Sequence, residues 1–435
     1  MAVTPHGRTQ TTLVVMPRRA DSSEVRRNNL EVVLRQLAMS KTASRAEIAS
    51  ATGLTRATVS RLVAELLELR LVRESGRAGN QLGRPGTRLE LDGRHVLAIG
   101  AEINVDAITA VVHDLSGAER ARRRHAVDAA GLGPELSVRR LAELCGQTVA
   151  DAVGPESSAG VSIAGIGVAI PGIVDSPRGV IVDAPNMRWR EVPLGLMLRG
   201  AFAGLDAPIV VDNDANFGAL AEYWCGPYAG TANLVYIIGE VGIGGGILVG
   251  GRLLLGDGGR AGEVGHMCVD PNGPLCGCGR RGCWEALVGL NAFLRPLGGS
   301  SDAHRPEIRV KPVLKRAMQG DRRVLDALDS LGAWIGLGVA NIVNVLGPEI
   351  VILGGYFTDL AEWILPSIHR TLRERVMIVR QPADQLVAVS TLAFRGAAVG
   401  AALHAIDGVM SNPSRVPPPV PVLEPHAIAH AGAHR

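Results

Sequence analysis

The run G-H-M-C-V-D-P-N-G-P-L-C-G-C-G-R-R-G-C-W-E, Gly265 to Glu285, packs His266, Cys276, Cys278 and Cys283 into one short, glycine-rich loop. Thiolate and imidazole are the ligands zinc prefers, and a structural zinc closes its shell with four of them. Cys276-x-Cys278 sets two sulfurs on one corner of a turn. Gly277, Gly279 and Gly282 let the backbone bend so that Cys283 returns to the same point. Small buried cysteines or a disulfide are the alternatives. The opening residues carry no secretory pattern, which speaks against a stable disulfide. Glu263 and Glu285 flank the loop. A metal that fixes the loop also fixes where those carboxylates point, which builds a rigid polar pocket from flexible chain.

The chain has 435 residues, a net charge of +3 and 47% hydrophobic residues. That composition reads as globular and too long for one small domain. No continuous apolar run of membrane-spanning character stands out, so neither a membrane nor a secreted role is expected, and a cytoplasmic location follows. Basic residues are nearly all Arg, the lysines being Lys41, Lys311 and Lys315. With so modest a net charge, the distribution of charge decides whether nucleic acid is a partner.

Charge concentrates near the start. Leu30, Val33, Leu34 and Leu37 recur at helical spacing. Ser44-R-A-Glu47 is a capping box opening a short helix. Thr52-Gly53-Leu54 supplies a turn, and Thr55 caps a second helix with Val59, Leu62, Val63 and Leu66 on its buried stripe. Arg56, Thr58, Ser60 and Arg61 lie on the remaining surface of its first turns. Helix, glycine turn and polar-headed helix make a helix-turn-helix, whose second helix enters the major groove. Two strand-like pieces follow, enclosing a loop with Arg77, Arg84 and Arg88. They suit a wing whose arginines reach phosphate or the minor groove. The other reading is a three-helix bundle that meets only protein.

From His95 onward strands and helices alternate, which predicts a largely parallel sheet with helices on its faces. Residues 96–103 and 108–117 read as strand, turn and strand; further strands are expected at 163–170, 208–211, 234–238, 247–249 and 350–353, and helices at 136–153, 331–346 and 394–405. The segment D-N-D-A-N-F, Asp212 to Phe217, opens a helix at a strand end, where ligands of α/β sheets commonly bind.

The G-E-x-G-H segment and the C-x-C-G-x-x-G-C-x-E segment together resemble the signature of the ROK family of sugar kinases and sugar-responsive repressors. The resemblance covers most of the chain from Arg26 to Ile406. It implies a winged helix-turn-helix ahead of a two-lobed, actin-like (sugar kinase, ribonuclease H-like) α/β domain, and homodimers or homotetramers. It also implies structural zinc on His266, Cys276, Cys278 and Cys283, and sugar contacts from Glu263, His266 and Glu285. Gly83 to Gly86 matches the G-R-P-G turn of the family's repressors. Asn186 and Asp214 match positions that the family uses near the sugar, Asp214 being the general base in its kinases. With Asn213, the expected sugar set is Asn186, Asn213, Asp214, Glu263, His266 and Glu285.

The expected organisation is a disordered leader over 1–24, a DNA-binding head over 25–92 and a first lobe over 93–215. A second lobe with the zinc loop spans 216–390, a closing helix 391–410 and a disordered tail 411–435. The phosphate-binding turns depart from the family's kinases. Glu102-Ile-Asn-Val-Asp106 stands where they carry Asp-x-Gly-Gly-Thr, and Gly239-Glu-Val-Gly242 stands where they carry Gly-Thr-Gly. Side chains replace the bare backbone a phosphate needs, and two of them are acidic. The reading is therefore a sugar-responsive regulator, most simply a repressor, that binds operator DNA and has no kinase activity. The alternative is an ATP-dependent sugar kinase with an accessory DNA head.

Overall fold

The computed structural model describes residues 21–77, 87–154, 160–299, 306–377 and 382–418. The chain opens on three helices, Ser22–Ser40, Arg45–Thr52 and Arg56–Glu68. A hairpin of Val72–Arg77 and Thr87–Leu91 follows, and the short strand Ala43–Ser44 pairs on its far edge. The local chemistry matches the sequence reading. Ser44 and Glu47 form the reciprocal capping box, Gly53 takes φ 72 at the end of the second helix, and Thr55 caps the third. Leu30, Val33, Leu34, Leu37, Val59, Leu62, Val63 and Leu66 are all buried in one core.

Two five-stranded sheets, a small antiparallel sheet of Ile173–Asp175, Val180–Ala184 and Trp189–Val192, and their helices form the rest. The first runs in the order Ile209–Asn213, Ser162–Ile170, Val96–Ile103, Ala107–Asp114, Glu119–Ala126. The second runs Arg252–Leu253, Ile243–Val249, Leu234–Gly239, Ile350–Gly355, Val387–Val389. The expectation of largely parallel sheets needs correction: each holds two parallel and two antiparallel pairings. The connections decide this. Only Asn104, Val105 and Asp106 separate two strands of the first sheet, too few for a helical crossover, so a hairpin forms. Gly244 to Gly246, expected as a break between strands, lies inside Ile243–Val249. A Cβ on Gly246 would come within 2.1 Å of the Ala215 carbonyl oxygen, so the glycine lets helix Asp214–Trp224 lie directly on this sheet.

Each lobe has its own apolar core. Helix Arg322–Leu346 is long and apolar enough to cross a membrane, yet its Leu328, Leu331, Ile335 and Val339 are buried in the second core against helix Phe357–Arg375. The closing helix Gly396–Ser411 returns from the second lobe to pack on the first sheet and on helix Asp214–Trp224. Its Leu403, Ile406, Val409 and Met410 share one core with the head. Two expected boundaries move for that reason. The first helix starts at Ser22, inside the expected leader. The closing helix reaches Ser411 and is followed by a turn at Pro413–Arg415 with Pro413 buried, inside the expected tail. Head and closing helix stabilise each other there through Arg35, which donates to Asp407 (2.8 Å) and to the Ser411 hydroxyl (3.0 Å).

Candidate functional site

The loop from Gly265 to Glu285 is held by its own backbone. Cys276 N–H donates to the Arg280 carbonyl, Gly279 N–H to the Cys276 carbonyl, and Trp284 N–H to the Met267 carbonyl. Trp284 is fully buried and its indole N–H donates to the Trp334 carbonyl, so the loop end is anchored in the second core. The four candidate ligands converge. The His266 ring nitrogen and the sulfurs of Cys276, Cys278 and Cys283 all lie within 4.8 Å of one another. Cys278 and Cys283 Sγ are 3.6 Å apart, and Cys276 Sγ is 3.8 Å from His266 Nδ1. A tetrahedral zinc with bonds of about 2.3 Å to sulfur places its sulfurs about 3.8 Å apart, so the donors fit that ion. His266 can serve two neighbours: Nδ1 faces the thiols while Nε2 lies 3.9 Å from Glu263.

The expected sugar residues gather across the cleft. Glu285 opens helix Glu285–Val288 directly after the loop and accepts from Ile243 N–H at 3.0 Å. Gly242 leaves the room this needs, because a Cβ there would sit 2.4 Å from the Glu285 carboxylate and 3.7 Å from the Asn186 amide. Asn186, in the turn Pro185–Met187, thus faces Glu285 from the first lobe. Asn213 is largely committed to structure. Its side-chain oxygen caps helix Asp214–Trp224 through Ala215 and Asn216 N–H, and its amide nitrogen donates to the Gly172 carbonyl. It holds Asp214 in place more than it reaches outward. Asp214 is only 7% exposed, and burial, reinforced by Glu263, pushes its carboxyl up to about 7 against the Ala215 N–H bond. Glu263 is raised for the same first reason, with Glu285 adding and His266 opposing.

Beside this pocket the two altered turns meet. The Asn104 amide nitrogen donates to Glu102 at 3.0 Å and also to Glu240, which belongs to the other lobe. The Asn104 side-chain oxygen accepts from Val105 N–H at 2.7 Å, which folds the turn onto itself. Val105 is buried in the first core, and Val241 packs against that core from the second lobe. Burial lifts Glu102 to about 7, with Asn104 opposing and the Asp214 charge adding. Burial, then Glu102 and Asp214, lift Glu240 well above the carboxylate range. Asp106 lies 3.8 Å from Arg124.

In the head, Arg56, Ser60 and Arg61 are exposed along the first turns of Arg56–Glu68. Thr58 is half-buried, and its hydroxyl hydrogen-bonds Thr55 at 2.9 Å, so it stiffens the helix start. Arg77 ends its strand, its side chain beyond what is described. Arg84 and the turn from Gly83 to Gly86 lie outside the described residues. Arg88 pairs with Glu47 at 2.7 Å. Sequence reasoning missed a buried polar group where helix Asp214–Trp224 meets the second sheet. Ser390 donates to Glu222, a fully buried side chain whose other oxygen, like the hydroxyl of buried Tyr236, has no hydrogen-bond partner among the described residues. In A-L-A-E-Y nothing distinguishes Glu222 from a solvated helix position.

Comparison with known proteins agrees with this geometry. The ROK family pattern matches residues 98–407, and the MarR family pattern matches residues 32–79. A putative xylose repressor of Caldicellulosiruptor sp. is 31% identical over 402 residues, covering 90% of this chain and 98% of that protein. The crystal structure of a ROK family transcriptional regulator, described as a homolog of E. coli MLC protein, covers 89% of this chain and 98% of its own with a TM-score of 0.69. At 24% identity it supports the fold alone. A ROK family glucokinase from Streptomyces griseus, solved with glucose and AMPPNP, is 29% identical, covers 72% of this chain and 99% of its own, and has a TM-score of 0.59. With the family pattern spanning both lobes and a MarR-type winged helix ahead of it, the chain belongs to the ROK family.

Proposed function

We propose that the protein is a sugar-responsive, DNA-binding transcriptional regulator that represses carbohydrate genes until a sugar occupies the interlobe cleft. One observation carries the reading. A winged helix-turn-helix with a bare Arg56, Ser60 and Arg61 face shares the chain with a polar cleft, while the adjoining seat is filled by Glu102, Asn104 and Glu240. Carboxylates and amides accept from and donate to vicinal hydroxyls in pairs, so Asn186, Asp214, Glu263, His266 and Glu285 form the sugar contacts, with Asn213 as their support. His266, Cys276, Cys278 and Cys283 hold structural zinc, which keeps Glu263 and Glu285 in position. The xylose repressor named above makes D-xylose the first sugar to test.

The signal follows packed elements. Asp214 heads helix Asp214–Trp224, which lies along the closing helix, which in turn carries Asp407 and Ser411 against Arg35 of the head. A sugar that binds one cleft geometry better than the other shifts the population of head arrangements and so the affinity for DNA. The DNA contacts are Arg56, Ser60 and Arg61, with Thr58 supporting and Arg77 and Arg84 on the wing. The protein works in the cytoplasm as a homodimer or homotetramer, since paired heads match paired half-sites.

A second reading, a sugar kinase, is favoured by one feature: an Asp214 carboxyl near 7 suits a general base. Two assays separate the readings. Fluorescence anisotropy with the DNA upstream of its own coding region should show binding. A coupled ADP-release assay with D-xylose and D-glucose should stay at background. Turnover that Asp214→Asn abolishes would establish the kinase instead.

A further inference from the structure

The two turns that depart from a phosphate-binding pattern touch each other. Asn104 belongs to the first lobe and Glu240 to the second, 136 positions away in the chain, and the Asn104 amide donates to the Glu240 carboxyl. The neighbour of each partner also crosses or anchors the joint. Val241 packs against the first lobe's core, where Val105 is itself buried. The same Asn104 amide nitrogen donates to Glu102, and its oxygen is held by Val105 N–H, so the bridge starts from a fixed side chain. Polar and apolar contacts thus coincide on two consecutive residues, Glu240 and Val241.

We propose that Asn104 and Glu240, backed by Val241, form an interlobe latch that closes the cleft without nucleotide and sets how tightly it holds sugar. In a fold whose lobes could otherwise be joined by a ligand bridging the two turns, a side-chain bridge joins them without one. The protein then needs only the sugar as its input. Glu102, Asp106, Asp214 and Glu240 all face this joint, with Arg124 the cation beside Asp106 and Tyr236 and Glu263 next to Asp214.

The inference concerns the cleft of the proposed regulator, and its test uses no sugar first. Full-length wild type, Asn104→Asp, Glu240→Gln and the double variant are compared by hydrogen–deuterium exchange at pH 8. Asn104→Asp keeps the volume, removes the donor and adds a charge. Peptides spanning 97–107 and 234–243 should exchange faster, while head peptides stay as in wild type. Glu240→Gln retains an acceptor and should remain protected. In the double variant the amide introduced at position 240 can donate to the carboxylate introduced at position 104, and protection should return at least in part. D-xylose titration should then show affinity for Asn104→Asp lowered on the order of tenfold, with Glu240→Gln near wild type. Unchanged exchange in Asn104→Asp, or no recovery in the double variant, would overturn the latch. Because exchange is read without ligand, that result would leave the DNA and sugar reading standing, and absent xylose binding in wild type would leave the latch standing.

Discussion

The cleft has two halves built from similar material: short turns at strand ends, rich in glycine or formerly open to backbone contact. One half is the run from Glu263 to Glu285, where His266, Cys276, Cys278 and Cys283 converge on a loop held by its own backbone. The other is the joint of Glu102, Asn104 and Glu240, where polar side chains are aimed at one another. In the first half the loop is held by its own backbone, and Asp214 and Glu285 accept from the backbone N–H groups of Ala215 and Ile243. The second satisfies its own side chains internally. The difference is that a site is kept open by a rigid support outside it, and is closed when its residues can partner one another.

The largest effect should come from removing that support. Cys276→Ser leaves three donors, so bound zinc measured by mass spectrometry should fall to background. Sugar binding should vanish with it, while anisotropy still shows DNA binding by a folded head. Zinc retained at wild-type level would show the ligand set is wrong. Next in size is the DNA face. Arg56→Ala and Arg61→Ala should each weaken operator binding by about 1–3 kcal/mol without changing sugar affinity in calorimetry, which would separate the head from both halves of the cleft.

The acidic joint makes a pH prediction. Asp214 and Glu102 have carboxyls raised to about 7 from ordinary values near 4. Between those limits the native state binds more protons than the unfolded chain, so stability falls as pH rises. The loss from these two carboxyls should run from about pH 4 to about pH 7, and Glu240, raised by the same burial, adds to it in the same direction. Chemical denaturation across that range should show the slope, and Glu102→Gln should flatten it. A slope of opposite sign would mean these groups are ionised in the fold. The smallest effect concerns the path to the head. Arg35→Ala should leave DNA affinity alone but weaken the coupling between sugar and DNA by about 0.5–2 kcal/mol, read as a shift in the sugar concentration that releases DNA.

Much of this was legible in the residues. The capping box at Ser44, the turn at Gly53, the burial stripe from Val59 to Leu66 and the converging His266, Cys276, Cys278 and Cys283 are local patterns, and local chemistry built them. The replaced turns could be seen as well, but only as losses. That Asn104 reaches Glu240 depends on how two lobes meet, and no periodicity carries that. The turn between Ile103 and Ala107 announced one antiparallel pair, but the strand-and-helix rhythm does not say how the later strands pair, so the mixed sheets escaped it. Glu222 and Tyr236 were invisible for a related reason, since burial between a helix and a sheet is set by packing at long range.

The central claim is that sugar alone, held beside a closed seat, controls DNA. Anisotropy of the protein bound to its upstream DNA, titrated with D-xylose in buffer free of nucleotide and then repeated with ATP and magnesium, tests it most directly. The account predicts release of DNA by the sugar, the same curve with ATP, and no release for Asp214→Asn. Release that appears only when ATP is supplied would contradict it.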